Sequence, residues 1–164
     1  MESKFYNMLF LCTGNSARSA IAEGLMNELG KGRFKAFSAG SHPKGTVHPL
    51  ALQTLARHRI LSDGLRSTSW EEFARPGAPE LHFVVTLCDQ AAGEVCPVWP
   101  GQPMTAHWGM PDPAAVEGDE WAREQAFLDT FVTLKRRIEL MLALPMASLE
   151  RVAIQKEFKD IGAR

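Results

Sequence analysis

A chain of 164 residues, 45% hydrophobic and 23% charged, can build one domain with a substantial core. Its formal net charge of −1 gives no global basic field for nucleic acid. No apolar run approaches the roughly 18 residues of a membrane helix, and the N-terminal apolar stretch is too short for a secretory signal, so no membrane association and a cytoplasmic location are expected.

Asn7 to Leu11 reads as a buried strand. Ala17 to Leu29 reads as a helix with Ala20, Ile21, Leu25 and Leu29 on its apolar side, ended by Gly30 and Gly32. Phe34 to Ala39 is a second strand, closed by Gly40, and Leu50 to His58 a second helix with Pro49 in its first turn. A short helical turn is expected at Trp70 to Phe73, and Leu81 to Leu87 (LHFVVTL) is the strongest strand signal in the chain. Pro97 to Pro113 is a shaped loop around a short strand at Met104 to His107. Trp121 to Leu144 carries Phe127, Phe131, Leu134, Ile138 and Met141 at helical spacing, Pro145 stops it, and Leu149 to Ile161 is a last helix. Strands alternating with helices imply an α/β fold with a mostly parallel sheet covered on both faces. There is no repeat or interdomain linker, so residues 1–164 read as one domain. Sites in such sheets collect at the carboxyl ends of strands, where Cys12 and Cys88 both fall.

The three cysteines, Cys12, Cys88 and Cys96, are odd in number and form no CxxC pair, which argues against a disulfide framework. None of the five histidines sits at metal-ligand spacing, so no metal is expected. His107 is close in sequence to Asp112 and could shape its loop, but like the other four histidines it reads first as a surface or core residue. Lys135-Arg136-Arg137 reads as a solvated helix face, and Trp99, Trp108 and Trp121 as core residues.

CTGNSARS, residues 12–19, is the most informative stretch. Cys12 and Arg18 are separated by five residues at a strand-to-helix junction. A helix N-terminus offers unpaired N–H groups and partial positive charge. A loop containing Gly14 can turn further N–H groups inward as an anion nest, and Arg18 can add two parallel donors to a tetrahedral oxyanion. The same field favours thiolate over thiol, and Ser19 can donate its hydroxyl to that thiolate. A cysteine considered alone is more often a buried structural residue. Here the cysteine, Gly, Asn, Ser and Arg agree on one chemistry.

CTGNSARSAIAEG, Cys12 to Gly24, strongly resembles the phosphate loop and first helix of the low-molecular-weight tyrosine phosphatase family, which includes a branch of arsenate reductases. The resemblance implies a three-layer α/β/α fold around a central four-stranded parallel sheet. It implies Cys12 as nucleophile, Arg18 as oxyanion clamp, and Thr13, Gly14, Asn15, Ser16 and Ala17 as the oxyanion-binding loop. Asp112-Pro113 resembles the family's acid loop, where an aspartate protonates the leaving oxygen. On its own, an aspartate before proline is a common turn.

Further features resemble the reductase branch. Tyrosine phosphatases of the family carry aromatic residues after the DP, whereas Ala114 and Ala115 stand here and Tyr6 is the only tyrosine. TLCDQAAGEVCP, Thr86 to Pro97, resembles the reductases' redox segment, with seven residues between Cys88 and Cys96, more than in some members. Gly93 and Ala91-Ala92 would ease a rearrangement there. WPGQP and TAHWGMPDP add to the likeness. The resemblance implies reduction of arsenate to arsenite, with phosphate or sulfate as competing oxyanions. It also implies a Cys88/Cys96 disulfide relay, no cofactor on the chain, and thioredoxin or glutathione with glutaredoxin as external thiol reductant. Alternatives are a phosphatase hydrolysing phosphate monoesters and a non-catalytic oxyanion or redox sensor. Ala17 stands where many relatives have cysteine. Asn15, Glu23 and Ser38 match three ligands of a potassium site found in some reductases, but Trp70 stands where its aspartate would be.

Overall fold

The computed structural model describes residues 5–88 and 99–164. Its elements run in the order β1 (Tyr6–Cys12), α1 (Arg18–Leu29), β2 (Phe34–Gly40), α2 (Pro49–Arg57), a 3-10 turn (Trp70–Phe73), β3 (Phe83–Thr86), β4 (Met104–His107), a second 3-10 turn (Pro113–Ala115), α3 (Glu120–Leu142) and α4 (Arg151–Ile161). Every element expected from the sequence is present, with ends shifted by at most about two residues, the usual uncertainty of helix and strand ends. α3 ends at Leu142, three residues before Pro145.

The four strands form one sheet in the order β2-β1-β3-β4, and all three pairings are parallel. β1 is central, which explains its unbroken apolar run: a strand covered on both faces has no position for a polar residue. Met8 and Phe10 point into the larger core with Phe34, Ala36, Phe83 and Val85, under side chains from all four α-helices. Leu9 and Leu11 point the other way, with Ala39 and Val84, against the turn residues Trp70 and Phe73. The expected α/β fold with a four-stranded parallel sheet therefore stands, with the described α-helices on one face and the Trp70–Phe73 turn on the other.

Two expectations about surface and core are corrected. Trp121 is 71% exposed, because it occupies the first turn of α3 ahead of the stripe formed by Phe127, Phe131 and Leu134. Arg137 is only 7% exposed, while Lys135 and Arg136 are on the solvated face as expected. Helical periodicity puts position 137 on the same side as the buried Leu134, Ile138 and Met141. Trp108 is fully buried, and its indole N–H donates to the Phe158 carbonyl at 2.9 Å.

The parallel register delivers the site. Cys12 pairs with Gly40 at the carboxyl end of β1, and Leu11 pairs with Thr86 at the end of β3. The loops that follow β1 and β3, carrying Thr13 and Cys88, therefore start side by side. Among the described residues no helix is long and apolar enough to cross a membrane.

The aromatic cluster of Phe83 with Tyr6, Phe34 and Phe158 anchors the sheet to α4. Phe83→Ala is expected to lower stability by about 3–5 kcal/mol. Urea unfolding should show this as a lower midpoint with an unchanged slope.

Candidate functional site

Residues 13–17 wrap over the end of β1 before α1 begins, and the orientation of their peptides follows from where their carbonyls go. The Thr13, Gly14 and Ser16 carbonyls accept from the N–H groups of His42, Lys44 and His48 at 2.9–3.0 Å. The Ser67 hydroxyl also donates to the Gly14 carbonyl. In a trans peptide the C=O and N–H point in opposite directions. Carbonyls turned out to residues 42–48 therefore turn the N–H groups of Gly14, Asn15 and Ala17 to the other side. At the N-cap of α1, Ala17 supplies no side-chain acceptor, so the helix's first donors and its positive end face the same concavity.

Two backbone features hold this loop. Asn15 has φ +45°, a conformation that asparagine tolerates better than most side chains. Gly40 lies so close beneath the loop that a Cβ there would be 2.5 Å from the Thr13 carbonyl oxygen and 2.8 Å from that of Cys12. No side chain fits at position 40.

Asn15 also organises the polar interior, where it is fully buried. Its Oδ1 accepts the Thr68 backbone N–H at 2.8 Å, so its amide nitrogen must face the two serines. That nitrogen donates to Ser19 Oγ at 2.8 Å and to Ser38 Oγ at 2.9 Å. Ser38 in turn donates to Glu23 Oε1 at 2.7 Å. Ser19 Oγ is 2.9 Å from Cys12 Sγ, and of its two partners only the sulfur can accept the hydroxyl proton.

The cavity above the loop holds about 490 Å³ and is lined by Cys12, the loop backbone, Arg18, Cys88 and Asp112, with His42 and Lys44 at its edge. Cys12 and Cys88 are both buried and packed against one another. Cys88 Sγ is 3.3 Å from Thr13 Oγ1. Arg18 donates to the Met110 carbonyl at 3.1 Å and lies 3.9 Å from Asp112 Oδ2. Its Nε is buried and has no hydrogen-bond partner among the described residues. Asp112 caps the turn Pro113–Ala115 through Oδ1, which accepts from Ala114 N–H at 2.9 Å. The turn role and the cavity role are thus compatible, since Oδ2 remains toward Arg18.

Cys12, Thr13, Gly14, Ser16, Ala17, Arg18, Cys88 and Asp112 therefore come together in one cavity, and Ser19 and Asn15 support it from beneath. Cys96 lies outside the described residues, as do Ala91, Ala92 and Gly93. Tyr6 is at the far end of β1, packed on Phe34, His82 and Phe83, so it contributes nothing to the cavity. His107 Nδ1 is 2.8 Å from Thr86 Oγ1, which ties β3 to β4.

Gly40, His42, Lys44 and Met110 were not anticipated. Lys44 lies across Gly14, its side-chain carbons 3.2–3.5 Å from where a Gly14 Cβ would be. Nothing local marks these residues, because their role depends on the segment after β2 folding back onto the loop.

The residues do not fit a potassium ion behind the loop. Trp70 is buried in the apolar cluster with Leu9 and Leu11 and offers no oxygen.

The chain belongs to the low molecular weight phosphotyrosine protein phosphatase family, whose model matches residues 7–155. Among its relatives, an arsenate reductase of Halalkalibacterium halodurans is 38% identical over 69% of this chain and 80% of the relative. An arsenate reductase of Bacillus subtilis is 36% identical over 79% of this chain and 90% of its own. A solved arsenate reductase in a phosphate-binding state superposes with a TM-score of 0.66 at 27% identity, covering 85% of this chain and 98% of that one. A tyrosine phosphatase from T. tengcongensis, 22% identical with a TM-score of 0.66, covering 82% of this chain and 95% of its own, shares the fold.

Burial pushes the Glu23 carboxyl up from its ordinary value near 4.5 to about 7, against the hydrogen bond from Ser38 and the Arg66 charge, which favour ionisation. The folded chain thus holds this proton more tightly than the unfolded chain. Its stabilising contribution is complete below about pH 4.5 and is lost as pH rises through about 7. Glu23→Gln should remove a pH-dependent loss of about 2–3 kcal/mol. Urea unfolding at the two ends of this range would contradict the assignment if wild type and variant shared one slope with pH.

Proposed function

We propose that the chain reduces arsenate to arsenite, with Cys12 as nucleophile and with sulfur, not water, completing the reaction. The observation that carries this reading is the second buried thiol in the cavity, Cys88 packed against Cys12. Hydrolysis of a phosphate ester by a cysteine nucleophile needs no thiol at that position. Arsenate reductases 36–38% identical to this chain support the same reading, as does the small Ala114 beside Asp112, which leaves no aromatic wall for an aryl substrate.

Arsenate occupies the loop with its oxygens toward the inward N–H groups and Arg18, whose buried Nε is available as a donor. The Cys12 thiolate, held by the Ser19 hydroxyl, attacks arsenic. A hydroxyl leaves as water, protonated by Asp112. General acid assistance of this kind contributes about 10²–10⁴-fold. The Cys88 thiolate then attacks Cys12 Sγ, and the electron pair of the sulfur–arsenic bond passes to arsenic, which leaves as arsenite. The product is a Cys12–Cys88 disulfide. Attack of the Cys96 thiolate on Cys88 frees Cys12 and leaves a Cys88–Cys96 disulfide, which an external thiol reductant reopens by exchange. The two electrons come from sulfur throughout, so the chain itself calls for no redox cofactor.

The test is arsenite production by the purified protein with arsenate and either thioredoxin with its reductase or glutathione with glutaredoxin, with aryl-phosphate hydrolysis run in parallel. Sustained arsenite formation is expected with one of these systems, and it names the donor. Cys12→Ser and Cys88→Ser should each abolish turnover, and Asp112→Asn should slow it by about 10²–10⁴-fold. Aryl-phosphate hydrolysis without arsenite, unchanged in Cys88→Ser, would replace this reading with the phosphatase one.

A further inference from the structure

Arg137 is a guanidinium only 7% exposed, and among the described residues no carboxylate is one of its hydrogen-bond partners. Its three acceptors are all backbone carbonyls. Nη1 donates to Trp108 at 2.9 Å and to Gly109 at 3.3 Å, and Nη2 donates to Gly162 at 3.1 Å. Its Nε is buried with no partner. Placing a charge in a core is expensive unless it is fully paired, and an apolar side chain of similar length would fill the same space between Leu134 and Met141. The position of the acceptors gives the arrangement a purpose.

Trp108 and Gly109 begin the segment that leaves β4 for Asp112. The sheet ladder ends there: Trp108 N–H donates to Thr86 and Met110 N–H to Leu87. Arg137 takes the carbonyls of 108 and 109 from the opposite side. The next carbonyl, that of Met110, is the one that accepts from Arg18. Two residues further on stands Asp112, whose Oδ2 lies 3.9 Å from the same Arg18. The same guanidinium also grips the end of α4 at Gly162, a position where a Cβ would be 2.3 Å from the His107 carbonyl oxygen. One side chain of α3 therefore holds together the end of β4, the end of α4 and the root of the acid loop.

We propose that Arg137 is a positioning residue that acts through this segment: by fixing the carbonyls of Trp108 and Gly109 it sets the placement of Asp112. The inference rests on the reading of Asp112 as general acid. It goes beyond that reading by placing the control of the acid loop in a helix that contributes no side chain to the oxyanion cavity.

A double-mutant cycle separates positioning from bulk stability. Arg137→Met and Arg137→Lys are made in the wild-type and Asp112→Asn backgrounds, and kcat and KM for arsenate are measured well below each variant's melting temperature. In the wild-type background Arg137→Met should lower kcat by about 10- to 100-fold with KM changed by less than about two-fold, since small misplacements of a catalytic group have effects of this size. Arg137→Lys, which keeps a donor, should recover part of the loss. In the Asp112→Asn background the same substitution should cost less than about two-fold, because the group it positions is already gone. An equal loss in both backgrounds would overturn the proposal and leave Arg137 as packing alone. If Arg137→Met does not fold, the cycle is run with Arg137→Lys. If wild type makes no arsenite, the functional reading fails first, and the cycle is read on hydrolysis of an alkyl phosphate, whose basic leaving oxygen needs a proton.

Discussion

The site depends on the polarity of one buried amide. Because Asn15 Oδ1 accepts the Thr68 N–H, its nitrogen is committed to Ser19 and Ser38, and each serine must pass its own proton outward. The Ser38 proton goes to Glu23 and the Ser19 proton to the Cys12 sulfur. A hydroxyl aimed at the sulfur from the buried Ser19 offers it a preorganised donor, without the reorganisation that water would need. The positive φ of Asn15, the close approach of Gly40 and the outward carbonyls of residues 13, 14 and 16 are the backbone counterpart of the same arrangement. Loop conformation and the hydroxyl donor to the Cys12 sulfur are thus properties of a single network.

The parallel sheet makes that network possible by ending β1, β2 and β3 at a common edge. Cys12 ends β1, Gly40 beneath the loop ends β2, and Cys88 lies just past the end of β3. The loop carrying Asp112 comes last, from the end of β4, and it meets the first loop where Arg18 donates to the Met110 carbonyl. The cationic side of the cavity is formed by Arg18, Lys44 and the α1 N-terminus, with Asp112 as its carboxylate. Such a field favours a small oxyanion over a neutral ligand, and the two adjacent thiols favour one that can be reduced.

Much of this was legible in the residues. The apolar run of β1, the Phe127–Met141 stripe of α3 and the turn at Trp70 follow periodicity rules that act locally, so these elements were found with near-correct ends. The strand-to-helix junction at Cys12 and Arg18 was legible because its chemistry is concentrated in eight consecutive residues. Asp112 was found through the DP pair, although its simultaneous role as a turn cap needed coordinates. The contributions of Gly40, Lys44 and Met110 arise from contacts between distant segments, and no local pattern marks them. Arg137 was misread for a related reason. Two neighbouring basic residues made it look like part of a solvated face, while its helical position pointed into the core. The Cys88–Cys96 pairing rests on sequence alone, because Cys96 lies outside the described residues.

The central claim is that sulfur finishes the reaction begun at Cys12. Its most direct test is a single turnover without reductant: fully reduced protein is mixed with excess arsenate, arsenite is counted per chain, and disulfides are mapped by peptide mass spectrometry. The account predicts one arsenite per chain, a disulfide between Cys88 and Cys96, and Cys12 returned as a free thiol. Three free thiols with no arsenite, or arsenite formed with Cys88 still reduced, would contradict it.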